Sequence, residues 1–479
     1  MRIEKIIIII SDTLRRDFLG CYGNKWIHTP NLDRFAKRSI VFDKAYTGSF
    51  PTIPHRSDLF TGRYCFHNRG WAPLPPEEDT FPKILRKAGY FTKMIADTPH
   101  IRPKEMNFTS SFDECEFPGD WESFRYEQLP PPKPSVKPPC AKSKLRFPDR
   151  AYIIYPRLVA LKEKGEEHYF CARTIRKAME WLKEGCKHEK FLLYVDIFEP
   201  HEPWLPPDEY VDLYDPGYEG ELVFWPRYDY SNYLTEEELK HMRALYAGMV
   251  TLVDKWVGLL LDEIEELGLL DEAAVIFTSD HGFYHGEHGR VGKHTVLDPK
   301  DGWPLYEEIC HIPLIMSIPD APRGVRCNAL VQPVDVMATI LDLAGVQIPK
   351  HIHGSSLLPV IFGEKERVRE IAVSCCGGPC FQLFREGKLP PPPPHVKPFV
   401  LSSDPEYVTY STITDGRWSL IYARKGLPAE LYDLQADPKQ ERNVILNELD
   451  IAKRLHGRFY KFLSDIGACR RSLELREEL

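Results

Sequence analysis

Five consecutive isoleucines, Ile6–Ile10, run directly into Ser11 and Asp12. Successive side chains leave a strand on opposite faces, so a strand apolar at every position must be covered on both sides. The run therefore predicts a central strand of a parallel sheet with helices packed above and below. It is too short to cross a membrane, which takes about 20 apolar residues, or to serve as the apolar stretch of a signal peptide, about 7 or more. Similar apolar runs recur at Phe91–Ala96, Phe191–Ile197, Ala274–Thr278 and Pro313–Ser317, with amphipathic stretches such as Ala172–Glu184 and Thr235–Leu267 between them. This alternation predicts an α/β fold, a large mainly parallel sheet flanked by helices on both faces. Ligands in such folds gather at the carboxyl ends of the strands, which directs attention to the polar residues that follow each run.

The pattern changes near residue 371. Short strand-like segments at Tyr407–Thr414, Trp418–Ala423 and Glu430–Asp433 precede one amphipathic helix near Leu449–Leu463. They predict a small antiparallel sheet with one packing helix. The 479 residues thus divide into a catalytic α/β domain, 1–370, and a C-terminal α+β subdomain, 371–479. A net charge of −8 argues against nucleic acid as a partner. With no apolar segment long enough for a membrane or for export, the expectation is a cytoplasmic protein whose 12 cysteines are mostly reduced thiols. Cys375, Cys376 and Cys380 cluster without the paired spacing of a zinc site.

Proline is the compositional anomaly, with 42 residues, nearly double the usual share of about 5%. Many fall in two insertions, at about 118–150 and 385–400. The segments 129–139 and 389–399 agree at eight of eleven positions. Both are expected to be stiff, extended arms. They are read either as surface loops of convergent composition or as arms that pair, over the active-site mouth or across a homo-oligomer interface.

Four polar clusters follow the predicted strands. Asp12 emerges from the isoleucine strand, where an acid either holds a metal or caps the next helix. Thr52, Pro54 and Arg56 open a segment that ends Thr61-Gly62-Arg63. There a hydroxyl four residues before a guanidinium, at a helix N-terminus, could meet one anion; a plain helix cap is the alternative. Asp280 and His281 close the Ala274–Thr278 strand and pair a hard with a borderline metal ligand. His285, Glu287, His288, Lys293 and His294 follow, a density of titratable groups otherwise read as a solvated loop. His201, in Phe198-Glu-Pro-His-Glu-Pro203, stands at the sheet's carboxyl edge, placed to protonate a leaving group.

Together these clusters resemble the sulfatase family of the alkaline phosphatase superfamily, over nearly the whole chain. Thr52–Arg63 is similar to the signature Cys/Ser-x-Pro-x-Arg…Thr-Gly-Arg. Asp12 and Ser279-Asp280-His281-Gly282 match the metal motifs, and Lys293 matches the active-site lysine. Glu430-Leu-Tyr-Asp433 to Pro438 matches a C-terminal strand and turn. The resemblance implies an alkaline phosphatase-like ester hydrolase (EC 3.1) with one divalent cation and a small-molecule sulfate, phosphate or phosphonate ester as substrate.

Three departures refine that expectation. Sulfatases convert the signature Cys or Ser to formylglycine, and Thr52 cannot be converted. Thr13 replaces the second acid of the usual Asp-Asp pair, which leaves Asp12, Asp280, His281 and Thr52 as the implied metal ligands, as in phosphonate monoester hydrolases. This set favours Mn²⁺ or Zn²⁺ over Ca²⁺ or Mg²⁺. Ala96-Asp97-Thr98-Pro99-His100 stands where the family has Gly-Lys-x-His, so the lysine that grips sulfate is gone and His100 is its substitute. Asp97, if it points inward, would disfavour a dianion. The resulting expectation is a phosphodiester or phosphonate-monoester hydrolase with Thr52 as nucleophile. Arg56 positions it, Lys293 and His100 stabilise the equatorial oxygens, and His201 is the acid, with Lys293 as the alternative. The competing readings are a sulfatase, or an esterase promiscuous for sulfate and phosphate, and a catalytically inactive sulfatase-like binding protein.

Overall fold

A computed structural model describes residues 2–102, 104–119, 129–133, 135–185, 187–293, 302–376 and 409–479. The strands, in chain order, are β1 (Lys5–Ser11), β2 (Ile40–Ala45), β3 (Ser49–Phe50), β4 (Phe91–Ala96), β5 (Glu114–Glu116), β6 (Phe191–Ile197), β7 (Asp229–Tyr230) and β8 (Ala273–Ser279). They continue with β9 (Tyr284–His285), β10 (Arg290–Gly292), β11 (Leu314–Ser317), β12 (Val325–Val331), β13 (Ala372–Cys376), β14 (Ser411–Thr414), β15 (Trp418–Tyr422) and β16 (Glu430–Asp433). Eight of them form one sheet in the order β12-β2-β11-β8-β1-β6-β4-β5. It is parallel except for β11, which runs against both β8 and β2.

The isoleucine run explains the centre of this sheet. Ile7 and Ile9 enter one core with Val195, Val275 and Leu245, while Ile6, Ile8 and Ile10 enter the other with Leu192, Ile276 and Met337. All five are fully buried, each worth about 1.5–3 kcal/mol of apolar burial. On one face lies the helix Glu236–Glu266, started by a capping box between Thr235 and Glu238 and by three glutamates in its first turn. Among the described residues it is the one helix long and apolar enough to cross a membrane, and 89% of its most apolar window is buried inside the fold. It is a core helix.

Register does the positioning. Ser11 of β1 sits level with Ile197 of β6 and Ser279 of β8, so Asp12, Phe198 and Asp280 leave the sheet side by side. The second, five-stranded sheet has the order β16-β15-β14-β13-β3 and is antiparallel apart from the β13–β3 pair. Its core joins Ile413, Leu420 and Leu431 to Leu455, Phe459 and Leu463 of the helix Leu449–Asp465. Thus the strands after residue 371 recruit Ser49–Phe50, just ahead of Thr52, from the other end of the chain. A third sheet, β7-β10-β9, carries the chain to Lys293.

The first proline-rich segment is clamped rather than free. Arg157 Nη1 donates to Pro130 O, Lys133 N to Pro156 O and Leu222 N to Pro139 O, at 3.3, 3.3 and 2.8 Å. The arm thereby lies along the helix Pro148–Lys164. The second segment, its pairing with the first, His294 and Cys380 lie outside the described residues. Cys375 and Cys376 lie on β13 and form no disulfide among the described residues.

Candidate active site

Thr52 is the first residue of the helix Thr52–Thr61, all ten residues of which are buried. The helix stops where Gly62 turns left-handed at φ 65°, a conformation that costs glycine little. From the second turn Arg56 reaches back to the Thr52 backbone. Its Nη1 donates to Thr52 O at 3.2 Å and to Asp280 Oδ2 at 2.7 Å, and lies 3.2 Å from Asp12 Oδ2. Its Nε and Nη2 form a two-pronged bond to Asp196 at 2.8 and 2.7 Å. The guanidinium is therefore taken up by protein carboxylates; it fixes the Thr52 backbone and ties three strand ends together.

Asp280 receives the Thr13 and His281 backbone N–H groups on Oδ1 at 2.9 and 2.8 Å. His281 Nδ1 donates to Gly282 O at 3.0 Å, which leaves Nε2 as an acceptor, 3.4 Å from the Thr52 hydroxyl. Only glycine fits next, since a Cβ on Gly282 would fall 1.9 Å from Glu308 O. Thr13 holds a left-handed φ of 64°, unusual for a β-branched residue. Its hydroxyl donates to Asp12 Oδ1 at 2.7 Å and accepts from Lys293 Nζ at 2.8 Å. Thr13 thus links the lysine to the metal-side acid.

Asp12, Asp280 and His281 present donor atoms all within 4.8 Å of one another, and all three are buried. Asp12 Oδ2 accepts no hydrogen bond among the described residues. Burial and the neighbouring Asp280 push the Asp12 carboxyl well up, against the opposing pull of Arg56 and Lys293. Burial also pushes Asp280 up, but His281, Arg56, His55 and the Thr13 N–H more than reverse it and hold it well below the usual range. Burial keeps His281 neutral, the form that ligates. Asp12, Asp196 and Asp280 all face Arg56, with Lys293 the next cation, a set of acids that a divalent cation would balance. An orphaned buried carboxylate oxygen, a second acid and a neutral imidazole fit such an ion.

The opposite wall comes from the loop after β6. His201 stacks on Phe198 with ring centroids 4.1 Å apart, and its Nδ1 donates to Glu202 O at 2.7 Å. Lys293 is buried, 4.0 Å from Glu202 Oε2. Burial lowers the Lys293 ammonium, with Glu202, Asp12 and Asp280 opposing. His100 stands further out, 5.9 Å from Phe198 and 5.1 Å from Trp71, ring to ring. Asp97 does not point inward: it accepts from Thr174 Oγ1 at 2.8 Å and from Phe198 N, turned toward the helix Phe170–Gly185. Its burial beside Glu199 raises its carboxyl well above the usual range. The expected charge conflict between Asp97 and a dianion is thereby removed.

Asp196, which sequence reasoning passed over, is the largest addition. Tyr194 OH and Thr98 Oγ1 also donate to it. Its signal was faint: an acid one residue before the end of an apolar strand. Arg146 and Tyr228, which bind Glu202, lie on segments with no motif at all.

The fold and this site define a metal-dependent ester hydrolase of the alkaline phosphatase-like class. The family profile described as Sulfatase matches residues 4–346, and the chain belongs to the sulfatase family. It is 26% identical to an N-acetylglucosamine-6-O-sulfatase of Bacteroides thetaiotaomicron, over 94% of this chain and 84% of that one. The phosphonate monoester hydrolase of Agrobacterium radiobacter superposes with a TM-score of 0.71 at 22% identity, covering 96% of this chain and 95% of that one. A structure solved with its substrate D-glucosamine-2-N,6-O-disulfate superposes with a TM-score of 0.69 at 22% identity, covering 98% and 99%.

Proposed function

We propose that this enzyme hydrolyses phosphoric-diester or phosphonate-monoester bonds with the unmodified Thr52 as nucleophile. The observation that carries this reading is the placement of the Thr52 hydroxyl at a helix N-terminus, 3.4 Å from His281 Nε2, on a backbone held by Arg56 through the Thr52 carbonyl. Asp12, Asp280, His281 and the Thr52 oxygen would hold one divalent cation, Mn²⁺ or Zn²⁺ by donor chemistry, which supplies Lewis-acid polarisation of the ester and eases deprotonation of Thr52. Thr52, its proton given up to solvent, attacks phosphorus through Oγ1 and the ester oxygen leaves with a proton from His201; water, passing a proton back to His201, then cleaves the phosphothreonine ester in line and frees Thr52. The helix N-terminus and Lys293 face the charge on the non-bridging oxygens, with His100 at the outer rim. Arg56 keeps Thr52 and Asp280 in register. A sulfated threonine lacks the aldehyde exit that formylglycine provides, which is why phosphorus is the preferred centre.

A second reading, a sulfatase or an esterase promiscuous for both esters, is favoured by the sulfatase relative and by the disulfated-sugar complex. One experiment separates the two: metal analysis, then turnover of an aryl sulfate, an aryl phosphodiester and a phenylphosphonate monoester, with mass spectrometry of the peptide carrying Thr52. Phosphothreonine at Thr52 together with diester or phosphonate turnover supports the first reading. Efficient aryl-sulfate turnover with no phosphorus activity overturns it.

A further inference from the structure

We propose that Glu202, locked by Arg146 and Tyr228, is a positioning residue that orients His201 as the leaving-group acid. The inference rests on the role of His201 proposed above. Glu202 is fully buried, and a buried carboxylate survives only with good partners. Its two oxygens divide the work. Oε1 accepts from Arg146 Nη1 at 2.7 Å and from Tyr228 OH. Oε2 accepts no hydrogen bond among the described residues and faces the site, 3.3 Å from His201 Nδ1 and 4.0 Å from Lys293 Nζ. A purely structural ion pair has no need to spread one oxygen between two site cations.

The grip on His201 is double. Nδ1 donates to the Glu202 backbone oxygen at 2.7 Å while the side chain of the same residue stands beside it. This puts a proton on Nδ1 and holds the ring from its Glu202 side, Nε2 being the nitrogen assigned by the proposed mechanism to the leaving oxygen. Phe198 stacked on the ring fixes its plane. Burial pushes the Glu202 carboxyl up, but His201, Lys293, Arg146 and the Tyr228 hydroxyl outweigh it and hold the group ionised.

Arg146 comes from the end of the first proline-rich insertion. Its guanidinium lies 3.9 Å over the Tyr228 ring and 4.8 Å over Phe147, and its backbone N–H donates to Trp225 O at 3.0 Å. The first proline-rich insertion therefore reaches the His201 wall through one carboxylate.

The test uses the full-length, metal-loaded enzyme and a series of aryl esters of whichever class it turns over, graded by leaving-group pKa. Glu202→Gln is expected to lower kcat/KM about 10–100-fold on the poorest leaving group and under about 3-fold on the best, a fraction of the usual acid contribution. Arg146→Ala should show the same slope more weakly, and Arg146→Lys should recover part of it. Added to His201→Ala, Glu202→Gln should cost nothing further on poor leaving groups. Equal losses across the series, or losses that multiply in the double variant, overturn the positioning role. If Glu202→Gln does not fold, Tyr228→Phe and the two Arg146 variants carry the same comparison. A His201→Ala variant that loses equally on all leaving groups removes the acid assignment alone, because the double-variant cycle still reads the coupling of Glu202 to His201.

Discussion

The two walls of the site are built on opposite electrostatic plans. On the nucleophile side Asp12, Asp196 and Asp280 surround Arg56, and the group is sealed from solvent. On the leaving-group side Arg146, Lys293 and His201 surround Glu202. In the proposed reaction the first wall, rich in acids, would take the cation, and the second would hand the leaving oxygen its proton from His201. The comparison is between a wall that collects charge and a wall that delivers a proton.

The comparison breaks most severely if the nucleophile wall tolerates damage. Thr52→Ala and Asp280→Ala are expected to abolish hydrolysis, at least about 10⁴-fold in kcat, while circular dichroism stays native. Exhaustive chelation should mimic Asp280→Ala and be reversed by Mn²⁺ or Zn²⁺, read by activity and by thermal shift. On the other wall His201→Ala should cost about 10²–10⁴-fold on poor leaving groups and spare good ones, visible as a steeper leaving-group plot. Asp196→Asn strands half the contacts of a fully buried guanidinium and should cost about 3–5 kcal/mol, measured by denaturant unfolding. A loss under about 1 kcal/mol would mean that Asp196 is not the anchor of the nucleophile wall.

The smallest effect concerns acid. Burial drives His55, whose Nδ1 meets Thr47 Oγ1 at 2.9 Å, down to about 3 from 6.5. The folded state then binds fewer protons than the unfolded one between those values. This stability is fully present above pH 6.5 and is lost as pH falls toward 3, at about 1.4 kcal/mol per unit. His55→Asn should flatten that part of the stability profile in denaturant titrations between pH 7 and 5. An unchanged slope would assign the acid sensitivity elsewhere.

Legibility in the sequence follows the same division. Asp12, Thr52, Arg56, Asp280 and His281 sit in short motifs at strand ends, so contiguous residues announce them, and the structure brings them together. Asp196 binds Arg56 across 140 positions and Glu202 binds Arg146 across 56, and neither pairing leaves a local pattern. The central strands were readable because burial on both faces forces an apolar run. β12 was not: its first half lies on an edge strand, with Val325, Arg326 and Asn328 exposed, so no apolar run marks it. β3 has two residues, too few for any period.

That two-residue strand sets a timetable for the molecule. Among the described residues its only strand partner is β13, with Ser49 opposite Cys375 and Phe50 opposite Cys376. During synthesis Asp12, Arg56, Asp280 and His281 all leave the ribosome before the strand that pairs with the backbone ahead of Thr52. That pairing therefore closes after every residue of the candidate metal cluster has been made.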